Sequence, residues 1–343
     1  MENISGNKGL VNLGNTCYMN SCLQCLSHLL EFNPMSTSFI QSCFSSECKN
    51  NIMNQWIELQ RKLWDNGINQ PINPIDLLKE FRSECDKQNR YFDNFQQNDI
   101  DEFLNIFMDF LHESVSKPCN FIKKDKKRCD NEVQKIVDKS YKTWELFFKK
   151  NNSYIVDKFY SQYFSLTSCP ECEYITTNHE PFMVITLTIP QNANTIYDCL
   201  TSYTNKKKLD TDNGWKCDQC KEITTANQKI MFWNTSDIII ILLKRYTFSY
   251  DMRRAYKNNK QIDYPLQLDL SDYSINHNKS SMNYELSGMC IHSGDTGGGH
   301  YYAICKNNLD GKWRVYNDSS VNNIQESDLS QHNPYCFFYR RIK

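Results

Sequence analysis

Gly9-Leu10-Val11-Asn12-Leu13-Gly14-Asn15-Thr16-Cys17-Tyr18-Met19-Asn20-Ser21 sets a cysteine after a glycine-containing turn, where Leu23, Leu26 and Leu30 begin a run of helical apolar spacing. Unpaired amides at a helix N-terminus favour the thiolate, the nucleophilic form of cysteine. Asn15 or Thr16 is placed to cap that helix, and Asn12 is placed to offer its side-chain amide to an oxyanion. Alone, such a cysteine is more often a small buried residue, so the reading depends on what the rest of the chain supplies.

What it supplies lies near the other end, in His292-Ser293-Gly294-Asp295-Thr296-Gly297-Gly298-Gly299-His300-Tyr301-Tyr302, with Lys312-Trp313-Arg314-Val315-Tyr316-Asn317-Asp318 following. The glycines suit a loop that approaches an extended substrate backbone. His300 to Asn317 reads as a hairpin turning at Asn307 to Gly311, a register that sets His300 directly opposite Asn317. His300, Tyr302 and Ile304 then share a face with Trp313, Val315 and Asn317, while Asp318 points to the other face. Cys17, His300 and Asn317 make a nucleophile, a general base and the group that orients the base. A slip of one residue puts Asp318 in place of Asn317, so both stay candidates; His292 reads as structural.

Cys169-Pro170-Glu171-Cys172 and Cys217-Asp218-Gln219-Cys220 are two C-x-x-C pairs, together the donors of a four-coordinate structural Zn²⁺ site. Their wide separation weakens the pattern, and disulfides or chance spacing are the alternatives. Ile100, Phe103, Leu104, Phe107 and Leu111 predict a second helix, and Glu132 to Lys150 a third. From about Tyr154 the texture turns to short β-rich runs: Phe182 to Ile189, Lys229 to Trp233 and Ile238 to Leu243. Lys123 to Arg128 carries five basic residues in six, either a solvated insertion or a partner-binding face.

The chain has 343 residues, 40% of them apolar, enough for a packed core. Its 39 basic and 40 acidic residues give a net charge of -1, which favours neither nucleic acid nor an anionic membrane. The longest apolar run is too short to cross a bilayer, and the polar start lacks the pattern of a signal peptide. An intracellular, reducing location, cytoplasmic or nuclear, is expected. Sixteen cysteines then read as free thiols, metal ligands and a nucleophile.

Five ordered blocks resemble the ubiquitin-specific proteases. Gly9 to Ser21 is similar to their cysteine box, and Gln97-Asn98-Asp99-Ile100-Asp101-Glu102-Phe103-Leu104 to their Q-Q-D-A-x-E-F-L helix, with Asn98 and Ile100 as departures. The C-x-x-C pairs match the zinc-bearing fingers. Leu243-Lys244-Arg245-Tyr246, followed by Tyr264-Pro265-Leu266, resembles the L-K-R-F strand end, and His292 to Asp318 the histidine box.

The resemblance implies an α+β, papain-like catalytic domain over 1–343, with a helical thumb (1–118), an insertion (119–153), fingers (154–235) and a palm (236–343). It implies hydrolysis after the C-terminal glycine of ubiquitin, with Cys17 as nucleophile, His300 as base, Asn317 as third member and Asn12 at the oxyanion. Asp99 and Glu102 match positions that meet the basic ubiquitin tail; the plainer reading is acidic residues offsetting a helix dipole. Ubiquitin and ubiquitinated proteins are the expected partners of a monomer. A catalytically silent ubiquitin binder and a protease for a ubiquitin-like modifier are the alternatives.

Overall fold

Apolar spacing predicts a helical N-terminal third, and the computed structural model has one; it describes residues 6–33, 39, 49–90, 92, 99–121, 131–209, 214–249, 254–275, 281–295 and 298–342. The basic run Lys123 to Arg128 lies outside the described residues, as do Gln97 and Asn98. Among the described residues these α-helices come first: α1 (Cys17–Ser27), α2 (Ile52–Trp64), α3 (Ile75–Lys87), α4 (Ile100–Val115), α5 (Glu132–Phe148) and α6 (Tyr154–Phe159). The stripe Ile100, Phe103, Leu104, Phe107 and Leu111 is buried along α4. Helix α1 is buried on every side, because it runs between the other helices and a sheet.

Helix α6 replaces the strand texture expected from Tyr154. Ser153 Oγ accepts the Val156 N–H, and Ile155, Val156 and Phe159 turn inward. Strands follow: β1 (Ser161–Ser168), β2 (Ile175–Phe182) and β3 (Val184–Thr188), then helix α7 (Ile196–Thr204). Next come β4 (Lys207–Leu209), β5 (Trp215–Lys216), β6 (Ile223–Thr224), β7 (Ala226–Asn234), β8 (Ile238–Lys244), β9 (Tyr246–Ser249) and β10 (Arg254–Lys257). The last are β11 (Gln267–Asp269), β12 (Asn283–Asp295), β13 (Gly298–Lys306), β14 (Trp313–Asn317), β15 (Ser320–Ile324) and β16 (Pro334–Arg341).

A four-stranded sheet runs β2-β1-β7-β4, and a larger one runs β15-β14-β13-β12-β16-β8-β3, with β11 paired to β12. Strand β3 lies inside the span 154–235 yet pairs in parallel with β8, so that span divides between the two sheets. The run Ile238 to Leu243 shows why β8 is central. Ile238, Ile240 and Leu242 join the core under the helices, while Ile239, Ile241 and Leu243 join a second core on the opposite face. A strand buried on both faces reads as a continuous apolar run, with no alternation.

Just past β8, Arg245 is almost wholly buried and has four oxygen acceptors. They are the carbonyls of Pro334 (2.9 Å), Asn258 (3.1 Å) and Lys260 (2.9 Å) and the side chain of Asn333. Its charge therefore ties the β10–β11 connection to the start of β16. This is the structural content of the Leu243-Lys244-Arg245-Tyr246 block.

Candidate active site

The turn before α1 is held by Asn12. Its Oδ1 accepts from Gly14 N (3.0 Å), Thr16 N (3.1 Å) and Thr16 Oγ1 (3.2 Å). Thr16 is the N-cap residue, but its hydroxyl accepts from Leu13 N at 2.9 Å and makes no cap bond. The first amides of α1 thus stay available to Cys17, whose side chain lies at its own backbone N–H and those of Tyr18 and Tyr301. Tyr301 follows His300 on β13, the strand against which α1 packs.

Burial nevertheless pushes the Cys17 thiol above its ordinary value; the Tyr301 amide opposes this and the Asp318 carboxylate adds to it. The expected lowering by the helix start is outweighed. Desolvation and a neighbouring anion both penalise the thiolate, and neither is visible in the motif. A thiol held in this way reacts as a nucleophile only with a base to take its proton.

His300 Nε2 lies 2.6 Å from Asn317 Oδ1 and 3.8 Å from the nearer oxygen of Asp318. Asn317 is therefore the hydrogen-bond partner of the imidazole. Because an amide oxygen only accepts, Nε2 carries the proton in this pair and Nδ1 keeps the lone pair. The register differs from expectation. Lys306 pairs with Trp313 and Ala303 with Tyr316, so the connection is Asn307 to Lys312 and the ladder is offset by two residues. An offset of two preserves the faces, and His300 meets Asn317 as a diagonal neighbour.

Asp318 occupies the tight turn between β14 and β15 with φ 47°. Its two oxygens accept from Asn12 Nδ2 (2.9 Å) and Asn20 Nδ2 (2.8 Å), and its carbonyl accepts from Leu10 N (2.8 Å). Gly9 permits this crossing, since a β-carbon there would stand 2.3 Å from the Asp318 carbonyl oxygen. One of the two Asn12 amide hydrogens is thus used on Asp318, and the other remains available as a donor.

His292 is buried, with Nδ1 2.7 Å from Tyr246 Oη. Gly299 serves it: a β-carbon there would lie 2.2 Å from His292 Nε2. Burial, then Lys257 and His300, hold the His292 imidazolium down to about 4. The folded state refuses a proton that the unfolded chain accepts, so this contribution is complete above about pH 6.5 and is lost as pH falls toward 4. Urea unfolding at pH 7 and pH 5 should show a loss of about 2 kcal/mol that His292→Gln removes.

Asp99 and Glu102 have different surroundings. Asp99 is the N-cap of α4, accepting from Asp101 N at 3.2 Å and from Tyr335 Oη at 2.7 Å. Glu102, in the first turn, is exposed. Sequence reading missed the adjoining groove of about 360 Å³, lined by Asp101, Asn105 and Asp109 and faced by Tyr160, Met183 and Thr186. The spacing of 101, 105 and 109 on one helix was the available signal. Burial, then Asp99, push the Asp101 carboxyl up, which an incoming cation would relieve.

Cys169 and Cys172 lie in the β1–β2 turn, and Cys217 and Cys220 in the β5–β6 turn. Each turn closes alike: Glu173 N donates to the Cys169 carbonyl (3.1 Å) and Lys221 N to that of Cys217 (2.9 Å), with Glu173 and Lys221 in the left-handed region. Antiparallel pairing of β1 with β7 brings the two turns together across 44 intervening residues. All four sulfurs lie within 4.8 Å of one another, a group able to hold a metal ion.

A model of the ubiquitin carboxyl-terminal hydrolase family matches residues 8–339. Ubiquitin carboxyl-terminal hydrolase 2 of Gallus gallus is 31% identical over 98% of this chain and 94% of its own length. Its Bos taurus counterpart is 30% identical over 98% of this chain and 55% of its own length. The chain thus spans about half the length of several curated relatives it matches. Among solved structures, a chain of the SAGA DUB module Ubp8/Sgf11/Sus1/Sgf73 bound to monoubiquitin superposes with a TM-score of 0.76 at 24% identity, covering all of this chain and 71% of that one.

Proposed function

The chain belongs to the ubiquitin carboxyl-terminal hydrolase family, and from that premise we propose that it is a thiol-dependent deubiquitinase acting after the C-terminal glycine of ubiquitin. The observation that carries this reading is the 2.6 Å His300–Asn317 bond, on the strand whose next residue gives its amide to Cys17. His300 takes the thiol proton, and the Cys17 thiolate attacks the glycine carbonyl. The developing oxyanion takes the free hydrogen of Asn12. The tetrahedral intermediate collapses, the lysine amine leaves with the proton held by His300, and water deprotonated by His300 releases the thioester.

The acidic side of α4 supports the choice of substrate, because a basic peptide tail complements Glu102 and Asp101, while Asp109 is already paired with Arg90 at 2.7 Å. Glu102 separates binding from folding better than Asp99, whose carboxylate also caps α4. Glu102→Arg should raise KM for a ubiquitin substrate about tenfold with little change in kcat or melting temperature, as expected for a rim charge. Equal losses in binding and stability would instead favour the dipole reading.

Zinc suits the four-cysteine group. A tetrahedral site with Zn–S near 2.3 Å puts its sulfurs about 3.8 Å apart, and Cys169–Cys220 and Cys172–Cys217 stand at 3.9 Å and 3.6 Å. Four protein ligands leave no position for substrate, so the metal would brace the finger sheet and supply no step. The function is tested with a ubiquitin carrying a C-terminal electrophile. It should label wild type at Cys17, and equal labelling by a probe built on another modifier would overturn the substrate assignment.

A further inference from the structure

Asn20 lies one helical turn beyond Cys17 and is 2% exposed. Its Nδ2 donates to Asp318 Oδ1 at 2.8 Å and, at 3.4 Å each, reaches the carbonyls of Leu10 and Val11, while its Oδ1 is buried with no hydrogen-bond partner among the described residues. Turning the amide over would set that oxygen against a carboxylate, so Asp318 fixes the orientation. A buried carbonyl left unpaired costs stability, and packing alone gives no reason to keep an amide here. The bond to Asp318 is the short one and the two carbonyl contacts are long, so the NH₂ group acts chiefly on that carboxylate.

Asp318 meets three groups of the proposed reaction. One oxygen takes Asn20; the other takes Asn12 Nδ2 at 2.9 Å and stands 3.8 Å from His300 Nε2. Without Asn20 the carboxylate is free to rotate toward the imidazolium that forms during catalysis. The Asn12 amide, held at Oδ1 by Gly14 and Thr16, then loses the acceptor that fixes its Nδ2 end. We propose that Asn20 is a positioning residue: by gripping one oxygen of Asp318 it presents the other to Asn12, and so aims the remaining Asn12 hydrogen at the oxyanion. The inference rests on the deubiquitinase reading and assigns that site one further residue.

The test uses the whole chain as wild type, Asn20→Ala, Asn12→Ala and the double variant. Asn20→Leu is added because it keeps the side-chain volume while removing the amide. Turnover of ubiquitin bearing a C-terminal fluorophore is measured beside the affinities for ubiquitin and for ubiquitin aldehyde, whose thiol adduct carries the oxyanion. Asn20→Ala and Asn20→Leu should lower kcat on the order of 10–100-fold, below or near the full loss of an oxyanion donor. KM and ubiquitin affinity should hold, aldehyde affinity should fall with kcat, and Asn20→Ala should add nothing in the Asn12→Ala background. Wild-type kcat in the Asn20 variants, or losses that add to those of Asn12→Ala, overturn the inference alone. A wild type that neither turns over ubiquitin nor binds its aldehyde overturns the deubiquitinase reading, and this inference with it.

Discussion

His300→Ala should lower kcat/KM for ubiquitin with a C-terminal fluorophore by about 10³-fold or more, and the remaining rate should rise about tenfold per pH unit through neutrality into the alkaline range. Burial and Asp318 hold the Cys17 thiol above its ordinary value, so at neutral pH few molecules carry a thiolate once the base is gone. Each added pH unit then multiplies that fraction. Asn317→Ala should lose less, because the imidazole remains and lacks only the acceptor at 2.6 Å that fixes its Nε2. Combining His300→Ala with Cys17→Ala should cost little beyond Cys17→Ala alone, since residues acting as one unit are non-additive. Comparable activity in wild type and His300→Ala would remove His300 from the mechanism.

Removing the metal should have the next largest effect. Apparent binding free energies of structural zinc sites run at roughly 10–16 kcal/mol in small domains, much of it folding free energy. Here the two cysteine turns are joined through the pairing of β1 with β7, and β5–β6 is a ladder of only two residue pairs. Without metal, little else holds the second turn against the first. One zinc per chain is expected in purified protein. A strong chelator, or Cys172→Ser with Cys220→Ser, should lower the melting temperature and abolish turnover, with zinc restoring the chelated sample. A metal-free protein with unchanged melting and turnover would contradict the assignment.

The proposed nucleophile, base and orienting residue were legible as candidates because chemistry restricts which side chains serve and where turns and helix starts place them. Alternation along β13 and β14 told which face His300 and Asn317 share, even though the turn is longer than read and the ladder is offset by two. The perturbed Cys17 thiol was not legible, because desolvation depends on what packs around α1. Helices α6 and α7 were hidden by their β-rich neighbourhood, although Ser153 and the Thr195–Asp198 capping box signalled both. Asn20 sat inside the most informative motif without a role, since its shortest hydrogen bond goes to a residue 298 positions away.

The two halves of the site come from opposite ends of the chain and meet at Asp318. Leu10 N, Asn12 and Asn20 from the N-terminal segment all bond to it, and Asn317 beside it holds His300. On the proposed function, that convergence is what joins a helix start and a hairpin into one acyl-transfer centre.

The most direct measurement of this account is hydrolysis of ubiquitin carrying a C-terminal fluorophore by wild type and by Cys17→Ala. Steady turnover by wild type, with none by Cys17→Ala at equal zinc content and melting temperature, is the predicted result. Turnover that survives Cys17→Ala, or a folded, zinc-loaded wild type with none, would contradict it.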